Sequence, residues 1–260
     1  MESFTLVPLA VFLGLILGSF MNVVIHRWPL GQSVVRPRSS CPACNSLIAW
    51  YDNVPLVSYA LLKGKCRQCK APISGRYPLV EFLSALLLVT ATLTHPDLGW
   101  VLLIRDWPLL LAMVAIIFID LDHRLIPDEL SLGGLVLALV TAGADSQLGW
   151  GLSFLGGALG FGFFYLTAWI YDRLTGRTGL GGGDIKLLAM LGAFLGPQGV
   201  LTVVLVSSIA GSLYGIGQAW TQRDPEVGKV AIPYGPFLVI GALTHYLLGN
   251  WLWLQFTNPT

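Results

Sequence analysis

The sequence predicts an all-α polytopic membrane protein with about eight transmembrane helices and a small loop domain between the first two. Apolar residues make up 55% of the 260 residues and charged residues only 11%, against roughly 25% charged in an average soluble protein. The apolar residues form runs that approach or exceed the roughly 20 residues needed to cross a bilayer. Lys and Arg fall almost entirely in alternate loops between these runs. Together these observations favour a chain that threads repeatedly through a membrane.

The apolar runs give approximate bounds for each predicted helix. They cover residues 4–25, 77–95, 101–120, 130–144, 149–171, 185–197, 200–219 and 233–256. The fourth and sixth are short and could be tilted or partly re-entrant. Gly196 and Pro197 begin a turn signal between the sixth and seventh. The first run follows Met-Glu-Ser, without a basic n-region or a small-residue cleavage site, so we interpret it as a retained helix and not as a signal peptide.

The distribution of basic residues predicts the orientation of the chain. If the N-terminus is outside, the inner loops hold 14 of the 15 Lys and Arg residues and only Arg105 is left on the outer side. Because inner loops carry an excess of Lys and Arg, we expect both termini outside. The chain then divides into a first helix (1–25), an inner loop domain (26–76) and a helical membrane domain (77–260). The net charge of +1 does not indicate a nucleic-acid partner, and we expect none.

All four cysteines lie in the first inner loop as two CxxC pairs. Cys41 and Cys44 are separated by 21 residues from Cys66 and Cys69. Two such pairs suit tetrahedral thiolate coordination of zinc, and reducing conditions on the inner side disfavour disulfides. Four thiolates leave no position for a reactive water. The pattern therefore predicts a structural Zn²⁺ site, with free or redox-active thiols as the alternative.

Two groups of acidic residues lie at predicted helix ends on the inner side. Asp120 and Asp122 follow the third apolar run, and Asp184 precedes the sixth, directly after three consecutive glycines: Gly181, Gly182 and Gly183. Acidic residues at a membrane edge are costly and usually functional. Two carboxylates in one site repel, so one keeps its proton. The ionised group can then take a proton from water while the other polarises an amide carbonyl, as peptide hydrolysis requires, and the glycines allow close approach.

Each of these residues also has a simpler interpretation. Asp120 could merely end a helix near water, and Asp122 could be solvated or paired with Arg124. Asp184 could cap the sixth helix, with the glycines as a hinge. For Asp128, which precedes an apolar run, an N-cap is the expected role. The segment 233–236 is expected to start the last helix, although it could also line the site.

Several segments occur in an order that is typical of one family. They are residues 18–29, the two CxxC pairs, 53–59, 64–66, 76–81, 120–128 and 181–184. In these segments the chain resembles the bacterial type IV prepilin peptidases, also called prepilin leader peptidase/N-methyltransferases, which are aspartic peptidases of the GxGD class. The resemblance covers most of the sequence.

The resemblance implies both an activity and a location. Such enzymes remove short basic leaders from type IV prepilins or type II secretion pseudopilins, cleaving after a glycine on the cytoplasmic side of the bacterial inner membrane. In this pattern the catalytic pair is Asp120 and Asp184, and Asp122 is the main alternative to Asp120. Many members also methylate the new N-terminal amine with S-adenosylmethionine, an activity that the family assigns to the cysteine-bearing loop. Gly64 and Glu81 are therefore candidate cofactor-binding residues, although Glu81 could equally be a snorkelling or capping carboxylate.

Two other classes of protein fit parts of the sequence. An ion-coupled transporter would also have many spans, glycine-broken helices and intramembrane carboxylates, but its carboxylates are expected near the bilayer midplane. A non-catalytic subunit of a pilus or secretion assembly would be expected to lack one of the two aspartates. The zinc loop has no role in the transporter interpretation.

Overall fold

The computed structural model describes residues 2–95, 99–176, 179–221 and 232–257, and the regular secondary structure in these ranges is helical. Within these ranges no strand forms, and extended pairing is limited to two isolated bridges in the cysteine loop. The α-helices are α1 (Glu2–Arg27), α2 (Val57–Leu61), α3 (Arg76–Thr94), α4 (Trp107–His123), α5 (Asp128–Thr141), α6 (Gly149–Thr175), α7 (Gly182–Thr221) and α8 (Gly235–Thr257). A π-helical turn, Leu102–Asp106, leads into α4.

The all-α membrane architecture predicted from the sequence is confirmed. Every predicted span falls on a helix, and five helices in the described ranges are long and apolar enough to cross a bilayer. However, α5 has only 14 residues, fewer than the roughly 20 needed to cross a bilayer. The count of eight spans therefore stays a prediction. Most of the predicted inner loop 220–232 lies outside the described residues.

The chain divides into two compact units, one up to Ala115 and one from Ile116 onwards. In the first unit α1 and α3 pack against each other in opposite directions. Gly14 faces Ala85 and Gly18 faces Glu81, while Asn22 Nδ2 donates to the carbonyl of Tyr77 at 3.1 Å. The two glycines are four residues apart, which lets membrane helices approach closely. This contact fixes both ends of the cysteine loop.

In the second unit α7 is a helical hairpin and not a straight rod. Gly196 has non-helical angles, φ 76° and ψ −178°, and Pro197 follows at the start of the second arm, where its fixed φ is tolerated. A Cβ built on Gly192 would lie 2.8 Å from Val200, which is possible only if the chain turns back. The turn signal predicted at Gly196 is thus the point of reversal.

Both arms of this hairpin contact α8. Phe194 of the first arm stacks on Tyr246 of α8. Thr202 of the second arm hydrogen-bonds His245 at 3.0 Å. Further along the second arm, the Ser207 hydroxyl accepts from the hydroxyl of Tyr234, just before α8, at 3.1 Å. The second arm is therefore antiparallel to α8.

Packing of α6 on the first arm depends on small residues. Gly156 and Gly192 face each other and Gly160 faces the carbonyl of Leu188, so neither α6 glycine has room for a side chain. Ser153 Oγ donates to the carbonyl of Ala193 at 2.7 Å. Small residues at such contacts are usual between membrane helices, because association there depends on close backbone packing. The first arm, which carries Asp184, is held rigidly as a result.

Candidate active site and metal centre

The cysteine loop contains two nearly identical turns. In the first, the Cys41 carbonyl accepts from the N–H of Asn45 at 2.8 Å, and Cys41 N–H donates to the carbonyl of Ser46 at 2.9 Å. In the second, the Cys66 carbonyl accepts from Lys70 N–H at 3.1 Å, and Cys66 N–H donates to Ala71 at 2.8 Å. The fifth residue of each turn, Asn45 or Lys70, has a positive φ, and an isolated bridge closes each turn. Each CxxC pair therefore aims its two sulfurs in the same way.

The four thiols predicted to bind zinc lie together. Their sulfur atoms are all within 4.8 Å of one another, and Cys41 Sγ is 3.8 Å from Cys69 Sγ. A tetrahedron with Zn–S bonds of about 2.3 Å has S···S edges of about 3.8 Å. The donor set and its spacing therefore fit a tetrahedral metal ion.

Local hydrogen bonds and mutual crowding shift the thiol pKa values in opposite directions. Hydrogen bonds from Ser46 lower the pKa of Cys44 to about 6, and backbone N–H groups of Cys69 and Gln68 lower the pKa of Cys66. A backbone hydrogen bond from Ala71 lowers the pKa of Cys69, but desolvation and the other thiols outweigh it and raise that pKa to about 11. Metal binding requires all four sulfurs to be deprotonated, so it would release the proton held by Cys69.

Both candidate cofactor-binding residues make contacts within the first unit. Glu81 is buried, and its Oε2 accepts from the N–H of Leu56 at 2.9 Å. Gly64 has φ +67°, and a side chain there would meet the hydroxyl of Tyr59 at 2.9 Å. Glycine adopts this left-handed conformation without a steric penalty. Neither contact involves a cofactor, so the assignment of these residues to S-adenosylmethionine stays a prediction.

Asp120 is buried near the end of α4, with 5% of its surface exposed. Its Oδ2 accepts from the N–H of Gly235, the first residue of α8, at 2.8 Å. The segment 233–236 thus starts the last helix, as expected, and also reaches Asp120. The positive end of a helix dipole and a free N–H at a helix start both favour a carboxylate in this position. Asp120 is therefore oriented by an element 115 residues away in sequence.

Asp184 lies in the first turn of α7 and is half-buried. The start of α7, which carries Asp184, packs against the segment that follows Asp120. Two contacts hold these segments together: Gly183 lies against Ile126, and Lys186 Nζ is 2.7 Å from Asp128 Oδ1. The structure thus brings together the two acidic groups that the sequence placed on the same membrane side.

The three glycines before Asp184 have different surroundings. A Cβ on Gly183 would lie 3.0 Å from Cβ of Ile126, and a Cβ on Gly181 would lie 3.0 Å from Oδ2 of Asp184. Around Gly182 there is open space within 4 Å. Gly183 therefore permits helix contact, Gly181 leaves room for the carboxylate, and Gly182 leaves its side of the site unobstructed.

The two remaining acidic residues of the 120–128 segment do not share the position of Asp120. Asp122 is exposed, and two residues further along an α-helix is about 200° around its axis. The expected N-cap role of Asp128 is wrong, because the cap position of α5 is Pro127 and has no side-chain cap bond. Asp128 instead lies in the first turn of the helix and pairs with Lys186. Its partner comes from a distant element, which local sequence rules do not detect.

Comparison with known proteins decides the family. Residues 12–95 match the Bacterial Peptidase A24 N-terminal domain, and residues 107–216 match the Type IV leader peptidase family. The Prepilin leader peptidase/N-methyltransferase of Aeromonas salmonicida is 38% identical over 273 residues, which covers 92% of this chain and 90% of that protein. The chain belongs to the type IV leader peptidase family.

Other relatives in the leader peptidase family agree. The Prepilin leader peptidase/N-methyltransferase of Pseudomonas aeruginosa is 37% identical and covers 95% of this chain and 93% of its own length. The Type 4 prepilin-like proteins leader peptide-processing enzyme of Escherichia coli is 38% identical, with coverage of 92% and 93%. No solved structure matches. The cysteine quartet lies within the N-terminal match and both aspartates within the leader peptidase match, so the resemblance predicted from the motifs is confirmed.

Proposed function

We propose that this membrane protein cleaves the leader peptide of prepilins or pseudopilins, with Asp120 and Asp184 as its catalytic pair. The observation that carries the proposal is the packing of the start of α7, which carries Asp184, against the segment that follows Asp120 at the end of α4. Asp120, not Asp122, is the partner of Asp184, because Asp120 is buried and oriented by Gly235. Membership of the leader peptidase family favours this activity over the transporter and assembly-subunit alternatives.

The geometry suits acid–base hydrolysis of a peptide bond. One carboxylate takes a proton from water, whose oxygen attacks the carbonyl carbon, while the other carboxyl group donates a proton to the carbonyl oxygen. Collapse of the tetrahedral intermediate breaks the C–N bond, and a proton passes to the leaving amine. Because Gly235 N–H holds Oδ2 of Asp120, the second oxygen of that carboxyl group can face the water. The open side at Gly182 provides access for an extended substrate backbone.

The site is proposed to lie at the cytoplasmic face of a bacterial inner membrane, with both termini periplasmic. The support is the charge pattern, since this orientation puts 14 of 15 basic residues on the cytoplasmic side, as inner loops usually have. The apolar N-terminal helix of a prepilin would lie in the bilayer beside the enzyme. Its basic leader would be attracted by exposed acidic residues such as Glu129.

A second activity, N-methylation of the new terminus, is proposed for the first unit. The names of the relatives include N-methyltransferase. S-adenosylmethionine, when bound, would supply the methyl group to the amine released by cleavage. We propose that Zn²⁺ on Cys41, Cys44, Cys66 and Cys69 holds the loop in shape for this step and takes no part in hydrolysis. Gly64 and Glu81 remain the candidate cofactor-binding residues.

The test is a leader-cleavage assay on the purified full chain in lipid nanodiscs, with product masses measured by mass spectrometry. The substrate is a prepilin with a basic leader ending in glycine. Because positioned acid–base groups contribute about 10²- to 10⁴-fold in rate, Asp120→Asn and Asp184→Asn should each lose at least that factor. Asp122→Asn is the matched control and should cleave at close to the wild-type rate. Addition of S-adenosylmethionine should increase the product mass by one methyl group.

The outcomes separate the parts of the proposal. Inactive Asp122→Asn beside active Asp120→Asn would move the catalytic role to Asp122. Substantial cleavage by Asp184→Asn would refute the dyad. If the folded wild type cleaved neither prepilins nor pseudopilins, the proposed function itself would be wrong.

A further inference from the structure

Four large apolar side chains are exposed on the cysteine loop, between the two CxxC turns. They are Trp50, Val54, Val57 and Leu61, which we name the 50–61 patch. Trp50 and Leu61 are each 77% exposed and Val57 is 54% exposed. Val57 and Leu61 are four residues apart on α2 and share one face, while Ser58 is buried on another. Several large apolar side chains exposed within one short segment are typical of an interaction surface.

The patch is held firmly in place by hydrogen bonds. The Ser58 hydroxyl donates to the carbonyl of Tyr51 at 2.9 Å, which holds the Trp50 segment on α2. Leu56, within the patch sequence, has φ 58° and ψ −46°, and Val57 N–H donates to the Pro55 carbonyl at 2.6 Å. These angles and this bond define a strained γ-turn. A strained turn persists only where its surroundings fix it, and here the Glu81 carboxylate accepts the Leu56 N–H.

The bond to Glu81 also sets the depth of the patch. α3 has 19 residues and rises about 28 Å, close to the thickness of a hydrocarbon core of about 30 Å, so its first residue lies near the membrane surface. Glu81 is five residues further on, about 7.5 Å along the axis, and its side chain leans back towards the helix start. Leu56 therefore lies at the level of the first turns of α3. Val54 and Val57, on either side of it, are at the depth of the membrane interface.

The charge around the patch matches an anionic surface. Residues 26–76 contain eight basic side chains and a single acidic one, Asp52. Asp52 is already paired with Arg67, whose Nη2 is 2.6 Å from Oδ1. Lys63 and Lys70 are exposed. Clusters of Lys and Arg next to a membrane helix are attracted to acidic lipid headgroups, and Trp is favoured at the interface.

We propose that the cysteine loop lies against the bilayer surface, with the 50–61 patch in the lipid interface and its lysines on anionic headgroups. This contact would hold the cysteine loop at a fixed depth in the membrane interface. The inference concerns a lipid surface and does not depend on the proposed peptidase activity.

The test compares the fluorescence of wild type and Trp50→Phe in nanodiscs. The difference spectrum isolates Trp50 among the nine tryptophans. Lipids with brominated acyl chains should remove most of the Trp50 emission, and aqueous iodide should remove little of it. In phosphatidylcholine alone, the quenching by brominated lipid should fall relative to discs that also contain phosphatidylglycerol.

Charge variants test the lipid contact directly. Lys63→Gln with Lys70→Gln should reduce quenching in anionic discs, whereas the matched pair Lys63→Arg with Lys70→Arg should retain it. Equal thermal unfolding of both pairs would show that the loop stays folded. Quenching of Trp50 by iodide but not by brominated lipid would overturn the proposal. So would protection from both quenchers, since protein would then cover the patch, or protection that appears only when a prepilin is added.

Discussion

Replacing Gly235 with alanine tests the arrangement around Asp120 most directly. The new Cβ would lie 2.9 Å from Oδ2 and 3.2 Å from Cγ of Asp120, several tenths of an ångström inside ordinary contact. Either the carboxyl group or the start of α8 must move, and the 2.8 Å bond from Gly235 N–H is lost or lengthened. Gly235 does not have a positive φ, so alanine causes no backbone strain there.

The size of the effect follows from that bond. Hydrogen bonds to charged groups contribute about 1.5–3 kcal/mol, so kcat should fall about ten- to about a hundredfold. KM should change little, because no contact to the prepilin is removed. The assay is steady-state leader cleavage, followed by mass spectrometry. The matched control is Gly133→Ala in α5, where a Cβ meets open space, and it should cleave like wild type.

An unchanged kcat in a well-folded Gly235→Ala protein would refute the view that this N–H orients Asp120. A lower thermal unfolding midpoint with proportionate loss of folded enzyme would mean only that α8 is destabilised. Tyr234→Phe then distinguishes the cases, because it removes the hydroxyl that bonds Ser207 at 3.1 Å and leaves Gly235 intact. It should reduce kcat by a smaller factor than Gly235→Ala.

Two further predictions concern the first unit. Purified protein should contain about one Zn²⁺ per chain, and the Cys41→Ser variant should lose this ion. Because cysteine binds metal only in its deprotonated form, a chelator should remove the ion faster as the pH falls. Loss of the metal should reduce methyl transfer by a larger factor than leader cleavage, and equal loss of both would contradict a role confined to the loop. Gly18→Val should destabilise the α1–α3 contact by about 1–3 kcal/mol, as overpacking does, because a Cβ there would lie 2.8 Å from Cα of Glu81. An unchanged thermal unfolding midpoint would contradict this and show that α3 can move away.

Local patterns were enough to predict the parts of the molecule that depend on short stretches of chain. Apolar run length predicted the helices, the Gly-Pro pair predicted the reversal at Gly196, and the CxxC spacing predicted that four sulfurs meet. The juxtaposition of Asp120 and Asp184 needed one further premise, that both lie on the same side of the membrane. The distribution of Lys and Arg among the loops provided that premise.

Features that depend on distant parts of the chain could not be predicted in this way. Nothing in the sequence indicates that the N–H of Gly235 donates to the carboxylate of Asp120. Asp128 has every local property of an N-cap, yet Lys186, which is 58 residues away, takes its carboxylate. The γ-turn at Leu56 was equally hidden, because leucine is a poor residue for positive φ and only the tertiary contact to Glu81 explains it.

The short helices beside the carboxylates have a consequence for the surrounding lipid. α5 has 14 residues, and the first arm of α7, from residue 182 to 195, has the same number. Each rises about 21 Å, roughly 9 Å less than the hydrocarbon thickness. Lipid next to them must thin, or water must fill the difference. Hydrophobic mismatch would therefore bring water to the level of Asp120 and Asp184, and turnover should depend on the acyl-chain length of the host membrane.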